Sequence, residues 1–390
     1  MLLILSALYG VLAVVMFVRR RHALVGLLRD GLRIPDAELT RQSGGPRAPR
    51  RGGDPDMSTP RLAVMFVHGV ESGDEHFADT AVALLEQEFT RIAGVDAAEA
   101  LAIRPASWGA VYAERQGALL RRMGGEPAER AFGVLDRLGG MADRGSSLAL
   151  LGMIATGLVR RLPGVPRFHF PTLRWLIVHY LGDAISYQAG PVERDLYDGV
   201  HRILARAVHD LATDTGGDAP LCVVAHSLGT VVSSNFFYDL QTAHGLHPSH
   251  QGAVTVAPTV SDELGDTPLE RGETLAWFHT LGSPLALWAQ RHPDFGEPLT
   301  VPHPALARLH PCVEGSWTNV WDPDDVIASP LRPLNERYEK AVTEDRAVAV
   351  APWWLGWSPL AHPFYWNDLR VVTPIATSLA RAYHRMRLPR

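Results

Sequence analysis

The hydrophobic pattern of this chain changes character several times, and each change predicts an element. Residues 2–18, LLILSALYGVLAVVMFV, carry no charge, and Arg19, Arg20, Arg21 and His22 follow at once. At ~1.5 Å per residue a helix of this run reaches roughly 26 Å, near the thickness of a bilayer core. The arginines can snorkel to make up the rest. The run therefore predicts a transmembrane helix and a membrane anchor over residues 1–25. A buried helix of the main domain and a signal peptide are the alternatives. A signal peptide would want positive charge before the apolar run and small residues at a cleavage site. The charge here comes after it, which would put the rest of the chain in the cytoplasm. Residues 26–60 read as a flexible linker, since 40–60 is rich in Gly, Pro and Arg. Its arginines could also lie along an anionic leaflet.

From Arg61 the pattern becomes that of a folded domain. LAVMFV (62–67) is apolar throughout and ends at His68-Gly69, as expected of a parallel strand covered on both faces. Residues 76–92 have helical spacing, with Ala81, Leu84, Leu85 and Phe89 on one side. LAIRPASW (101–108) predicts a second strand. From 109 to 190 helix-like segments succeed one another, including the uncharged SSLALLGMIATGLV (146–159) and LRWLIVHYL (173–181). Fourteen uncharged residues are too few to span a bilayer, and the region reads as a helical insertion, a lid or cap over the sheet. Pro191 then opens an amphipathic helix over 191–213, lined by Val192, Leu196, Val200, Ile203, Leu204, Val208 and Leu211. LCVVA (221–225), TLAWFHTLG (274–282) and WTNVWD (317–322) predict further strands, and VAVA (348–351) a last one. Helices follow at 228–240 and 368–386. Strands alternating with helices predict an α/β domain over 61–390 with a mostly parallel sheet flanked by helices.

Composition narrows the chemistry. The 390 residues include 42 acidic and 37 basic side chains, a net charge of −5, with no basic face for a nucleic acid. Two cysteines, Cys222 and Cys312, exclude a disulfide framework and suit a reducing compartment. None of the 17 histidines has zinc-site spacing, and no cofactor motif is present.

VVAHSLGTVV (223–232) carries the candidate chemistry. A strand, then Ala225-His226-Ser227-Leu228-Gly229, then a helix, is a nucleophile elbow with Ala in place of the first Gly. Such a turn is so tight that the serine backbone is strained and its neighbours two places away must be small. The Leu228 N–H, at a helix N-terminus, could donate to an oxyanion. The plain alternative is a serine capping the helix. A serine nucleophile needs a base, and the base an orienting carboxylate, in the chain order Ser, acid, His. Downstream, WTNVWDPDDVIASP (317–330) offers Asp322, Asp324 and Asp325. Asp325 precedes a return to the core, Asp324 is its neighbour, and Asp322 before Pro323 suits a turn cap. Of the histidines beyond, His384 lies in a basic helix and reads as a surface residue. His362, in the loop SPLAHPFYW, is the candidate base, the alternative being plain packing on Tyr365 or Trp366. Gly69 allows backbone to approach a ligand after the first strand, and the Val70 N–H is the candidate second oxyanion donor; Glu75 and His76 nearby receive no role.

FVHGV, VVAHSLGTVV, HTLGSPLALWAQR, NVWDPDDVIASPLRPLN and LAHPFYWND together resemble the α/β-hydrolase superfamily, in particular bacterial serine esterase and lipase-like members. DPDDVIASPLRPL (322–334) and LGSPLAL (281–287) also look like the core of DDHD-type intracellular phospholipases. The resemblance spans about residues 61–388 and departs from the pattern at Ala225 and over 109–190. It implies an α/β-hydrolase fold, a triad of Ser227, His362 and Asp325, no cofactor, and an ester substrate of lipid or acyl type. A thioesterase, amidase or acyltransferase would use the same triad. A non-catalytic membrane scaffold that kept the fold is the alternative from another class. No nucleic acid and no protein partner is expected.

Overall fold

A computed structural model describes residues 61–69, 78–122, 182–187, 194–248, 256–351 and 359–388. The expected anchor and linker, and the centre of the expected insertion, lie outside the described residues. No helix among the described residues is long and apolar enough to cross a membrane.

Six strands form one sheet among the described residues: β1 Leu62–Val67, β2 Leu101–Ala106, β3 Leu221–His226, β4 Leu275–Leu281, β5 Ser316–Trp321 and β6 Glu344–Ala347. All neighbours pair in parallel, in the order β2-β1-β3-β4-β5-β6. The longer helices are α1 Asp79–Ala93, α2 Ala110–Arg122, α3 Asp195–Thr215, α4 Leu228–Ala243 and α5 Leu369–Arg387.

The unbroken apolar runs follow from this architecture. Strand side chains alternate between faces, and both faces are covered. Ala63, Met65 and Val67 of β1 join Val223 and Ala225 of β3 in a core with Leu204 and Leu211 of α3 and Val231 and Phe236 of α4. Leu62, Val64 and Phe66 join Cys222 and Val224 in a second core with Leu85 and Phe89 of α1 and Ile375, Leu379 and Tyr383 of α5. The result is a three-layer α/β unit. Cys222 is buried as a small hydrophobe, and neither cysteine is in a disulfide.

Several boundaries differ from the sequence pattern. The amphipathic helix begins at Asp195, while Pro191 and Val192 lie outside the described residues. The last strand is not VAVA (348–351) but the polar EDRA of 344–347. β6 is an edge strand, paired on one side with β5, so its side chains are half-exposed and charged. Asp345 turns this polarity to use: its carboxylate accepts from Asn319 Nδ2 at 2.7 Å and from the Leu331 and Arg332 N–H groups at 3.0 and 2.8 Å. Val348 and Val350 are buried beyond the strand. The other edge, β2, carries Pro105, which needs no ladder donor there.

Strand order marks one edge of the sheet as the candidate place for a site. The chain leaves β1 toward β2, then returns to the opposite side of β1 to form β3. Open parallel sheets bind ligands at such a reversal, outside the carboxyl ends of the strands. His68 and Gly69 leave the end of β1 there, and Ser227 leaves the adjacent end of β3, because Val67 pairs with Ala225.

Four buried histidines make the fold acid-sensitive. Burial holds His68, His201 and His226 down to about 3, and His279 to about 4. Each is neutral when folded and binds a proton near pH 6.5 when unfolded, so their stability contribution is lost as pH falls below that value. Asp239 acts in the opposite sense, since burial raises it to about 7. The histidines outnumber Asp239, so the net expectation is a loss of stability as pH falls from about 6.5 toward 5. Urea unfolding at pH 7.0 and 5.5 checks this, with a much lower midpoint expected at the acid value. An unchanged midpoint contradicts it.

Candidate active site

Three loops at the carboxyl edge of the sheet bring Ser227, His362 and Asp325 into one hydrogen-bonded line. Ser227 Oγ–H donates to His362 Nε2 at 2.8 Å, and His362 Nδ1–H donates to Asp325 Oδ2 at 2.7 Å. The members come from positions 135 and 37 residues apart in sequence. All three are buried: Ser227 is 5% exposed, His362 9% and Asp325 3%.

The serine is held in a strained turn. Its φ is 54° and ψ −132°, between β3 and α4. A non-glycine residue at positive φ costs on the order of 1–3 kcal/mol and persists only where its surroundings over-determine it. Those surroundings are visible. The Ser227 N–H donates to the Leu281 carbonyl at 2.9 Å, extending the β3–β4 ladder to the turn. The Ser227 carbonyl accepts from the Thr230 N–H and the Thr230 hydroxyl, at 3.0 and 2.7 Å. Ser283 completes the brace, donating to Thr230 Oγ1 at 2.7 Å and accepting from the Leu285 N–H at 3.2 Å.

Two glycines make the turn possible. A Cβ on Gly229 would lie 2.1 Å from the His68 carbonyl oxygen and 2.8 Å from that of Val67. Both obstacles are backbone and cannot step aside. A Cβ on Gly69 would lie 2.5 Å from Ser227 Cβ. The loop after β1 and the turn after β3 therefore touch backbone to backbone. Ala225 is tolerated at the first small position, fully buried in β3. Leu228 is the first residue of α4, so its N–H has no acceptor within the helix and sits at the positive end of the helix dipole. Val70, Glu75 and His76 lie outside the described residues.

His68 fixes the loop that carries Gly69. Its ring stacks on Trp108, with centroids 4.9 Å apart, and the Trp108 N–H donates to His68 Nε2 at 3.1 Å. The indole Nε1–H donates to the His68 carbonyl at 3.0 Å. His68 Nδ1 donates to the Gly69 carbonyl. These bonds select the neutral tautomer that burial also favours.

The three aspartates separate by environment. Asp322 accepts from the Asp324 and Val350 N–H groups, at 2.9 and 2.8 Å, and shapes the turn. Asp324 is exposed. Asp325 meets the imidazole, and its other oxygen accepts from the Ile327 N–H at 3.0 Å. Burial pushes its carboxyl up, but donation from His362, the Ile327 N–H and Tyr365 together outweighs this and holds it below its ordinary value. It therefore faces the imidazole as an ionised carboxylate.

Other residues at the site received no role from the sequence pattern, which named Tyr365 only as a packing neighbour of His362. Buried His226, held neutral at about 3, donates from Nε2 to the His362 carbonyl at 3.0 Å. Tyr365 donates to Asp325 Oδ2 at 2.9 Å. Both His362 and Tyr365 lie on the 3₁₀ segment Pro359–Asn367, where side chains three apart eclipse and share a face. That spacing is the one signal in the sequence that could have found Tyr365. Gly282, at φ 56°, lies under the pair: a Cβ there would be 3.2 Å from Asp325 Oδ2 and from His362 Cε1. His384 is exposed on α5. Among the described residues no cluster of His, Cys, Asp and Glu could hold a metal ion. Comparison with protein-family models, with curated proteins and with solved structures gives no match.

The backbone contact at Gly229 sets a direct test. Gly229→Ala is expected to cost about 3 kcal/mol or more, as overpacking against backbone does. Gly182→Ala, with nothing within 4 Å of the added Cβ, is expected to change stability by less than about 0.5 kcal/mol. Chemical denaturation of both variants checks the difference, and equal midpoints would contradict the close approach.

Proposed function

We propose that this chain is a membrane-tethered serine hydrolase of α/β-hydrolase type that cleaves carboxylic esters, with lipid or other acyl esters as substrates. One observation carries the reading: Ser227, His362 and Asp325 lie in hydrogen-bonded sequence, with the serine at positive φ. A serine that merely capped α4 would aim its hydroxyl at the helix, but Ser227 makes no side-chain bond to α4. The bond goes to an imidazole whose other nitrogen is tied to an ionised carboxylate.

The chemistry follows from that line. Ser227 Oγ attacks the ester carbonyl as its proton passes to His362 Nε2. Asp325 holds the imidazole in the Nδ1–H tautomer and stabilises the imidazolium that forms. The oxyanion of the tetrahedral intermediate is met by the Leu228 N–H and, in this reading, by that of Val70, each donor contributing about 3–4 kcal/mol. His362 then returns the proton to the departing alkoxide as the carbonyl–oxygen bond breaks. A water deprotonated by the same imidazole attacks the acyl-serine, which releases the carboxylic acid and restores the Ser227 hydroxyl. The apolar run of 2–18, with its following arginines, would tether this domain on the cytoplasmic side.

Hydrolysis of a short nitrophenyl ester tests the assignment. Asp325→Asn is expected to lower kcat by about 10³- to 10⁴-fold, and Ser227→Ala at least as much, while the exposed Asp324→Asn stays within about twofold. Loss of activity in the Asp324 variant alone would overturn the choice of acid. The tether has its own test: removal of residues 1–25 is expected to move the protein from the membrane pellet to the supernatant. Unchanged partitioning would reject it.

A further inference from the structure

Tyr365 occupies an unusual place in the line just described. It is fully buried, and its hydroxyl makes two bonds of opposite sense. The Asp322 N–H donates to its oxygen at 2.8 Å, and its own O–H donates to Asp325 Oδ2 at 2.9 Å. Asp325 Oδ2 is also the oxygen that accepts the His362 Nδ1–H. One carboxylate oxygen thus serves two donors. The phenol is fixed from both ends. Asp322, which delivers the N–H, is itself held by Asp324 and Val350, and the Tyr365 ring lies where a Cβ on Gly282 would come within 2.7 Å of it.

A hydrogen bond to a carboxylate favours its charged form and makes it a weaker base. A weaker base pulls less on the imidazole Nδ1–H and stabilises the imidazolium less. We propose that Tyr365 is a positioning residue which shares Asp325 Oδ2 with His362 and thereby sets how firmly the imidazole keeps its second proton. The inference rests on the triad reading above. Burial, with Asp325 adding to it, pushes the Tyr365 phenol well above its ordinary range, so it remains a donor at every pH the enzyme meets. Among the described residues the titratable groups that face the imidazole are Asp325 from the loop after β5, His226 from the end of β3 and Tyr365 from its own segment. His68 lies beyond His226, and Asp322 beyond Tyr365. His226 is held neutral, and Asp322 meets Tyr365 by its backbone N–H while its carboxylate is taken up by the Asp324 and Val350 N–H groups, so the phenol is the group whose change reaches Asp325.

The test is the pH dependence of inactivation by a fluorophosphonate, measured on the full chain between pH 5 and 9. Tyr365→Phe removes one donor from Asp325 and is expected to move the acid limb upward, by about half a pH unit, with the plateau rate falling less than tenfold. It also leaves the Asp322 N–H unpartnered, so a lower Tm is expected and does not bear on the inference. A second variant guards against misfolding. A fluorotyrosine at position 365 keeps both hydrogen bonds and donates more strongly, and is expected to move the same limb downward. A limb that stays in place in either folded variant, or moves up on fluorination, overturns the proposal. Failure of the triad reading looks different: the probe would still react with Ser227→Ala, or would not react with the native protein.

Discussion

The structure depends on one close approach, the backbone of Gly229 against the carbonyls of Val67 and His68. There α4 starts hard against the end of β1, and the chain can reach it from β3 only through a single residue at positive φ. That residue is Ser227. The strain of its conformation, on the order of 1–3 kcal/mol, is met by the bond of its N–H to the Leu281 carbonyl and by two bonds from Thr230 to its own carbonyl, with Thr230 held in turn by Ser283. A hydroxyl placed this way projects off the sheet edge instead of folding back on its own helix.

The imidazole and the carboxylate reach it from different directions. β5 ends beside β4, and its turn is closed by the Asp322 carboxylate, so that Asp325 comes round facing inward while Asp324 faces water. His362 arrives on a 3₁₀ segment fastened at two points, to His226 through its carbonyl and to Asp325 through Tyr365. Neutral histidines do much of this fastening. His68 and His226 bond through defined tautomers, and burial keeps them uncharged. The same choice ties the integrity of the site to a pH at which they stay neutral.

Much of the fold was legible in the sequence because parallel strands covered on both faces must be apolar throughout. LAVMFV and LCVVA could hardly be anything else, and the small residues around Ser227 announce a tight turn. β6 was not legible, since an edge strand with half-exposed side chains has no reason to be apolar, and the apolar VAVA beyond it misleads. Residue pattern favoured Asp325, through the Val-Ile-Ala that follows it, but left Asp324 as an alternative, and it is the turn geometry that separates Asp322, Asp324 and Asp325. His226, Gly282 and Tyr365 were hidden for a related reason. Their roles come from groups 40 or more residues away: Tyr365 and Asp325 are 40 apart, and His226 and His362 are 136 apart.

The central claim is that Ser227 is the nucleophile. Reaction of the full chain with a fluorophosphonate, followed by peptide mapping by mass spectrometry, tests it most directly. One phosphonyl group per chain is expected, on the peptide containing Ser227 and on its side-chain oxygen. An adduct on any other residue, or a folded chain that takes up none, would contradict the account.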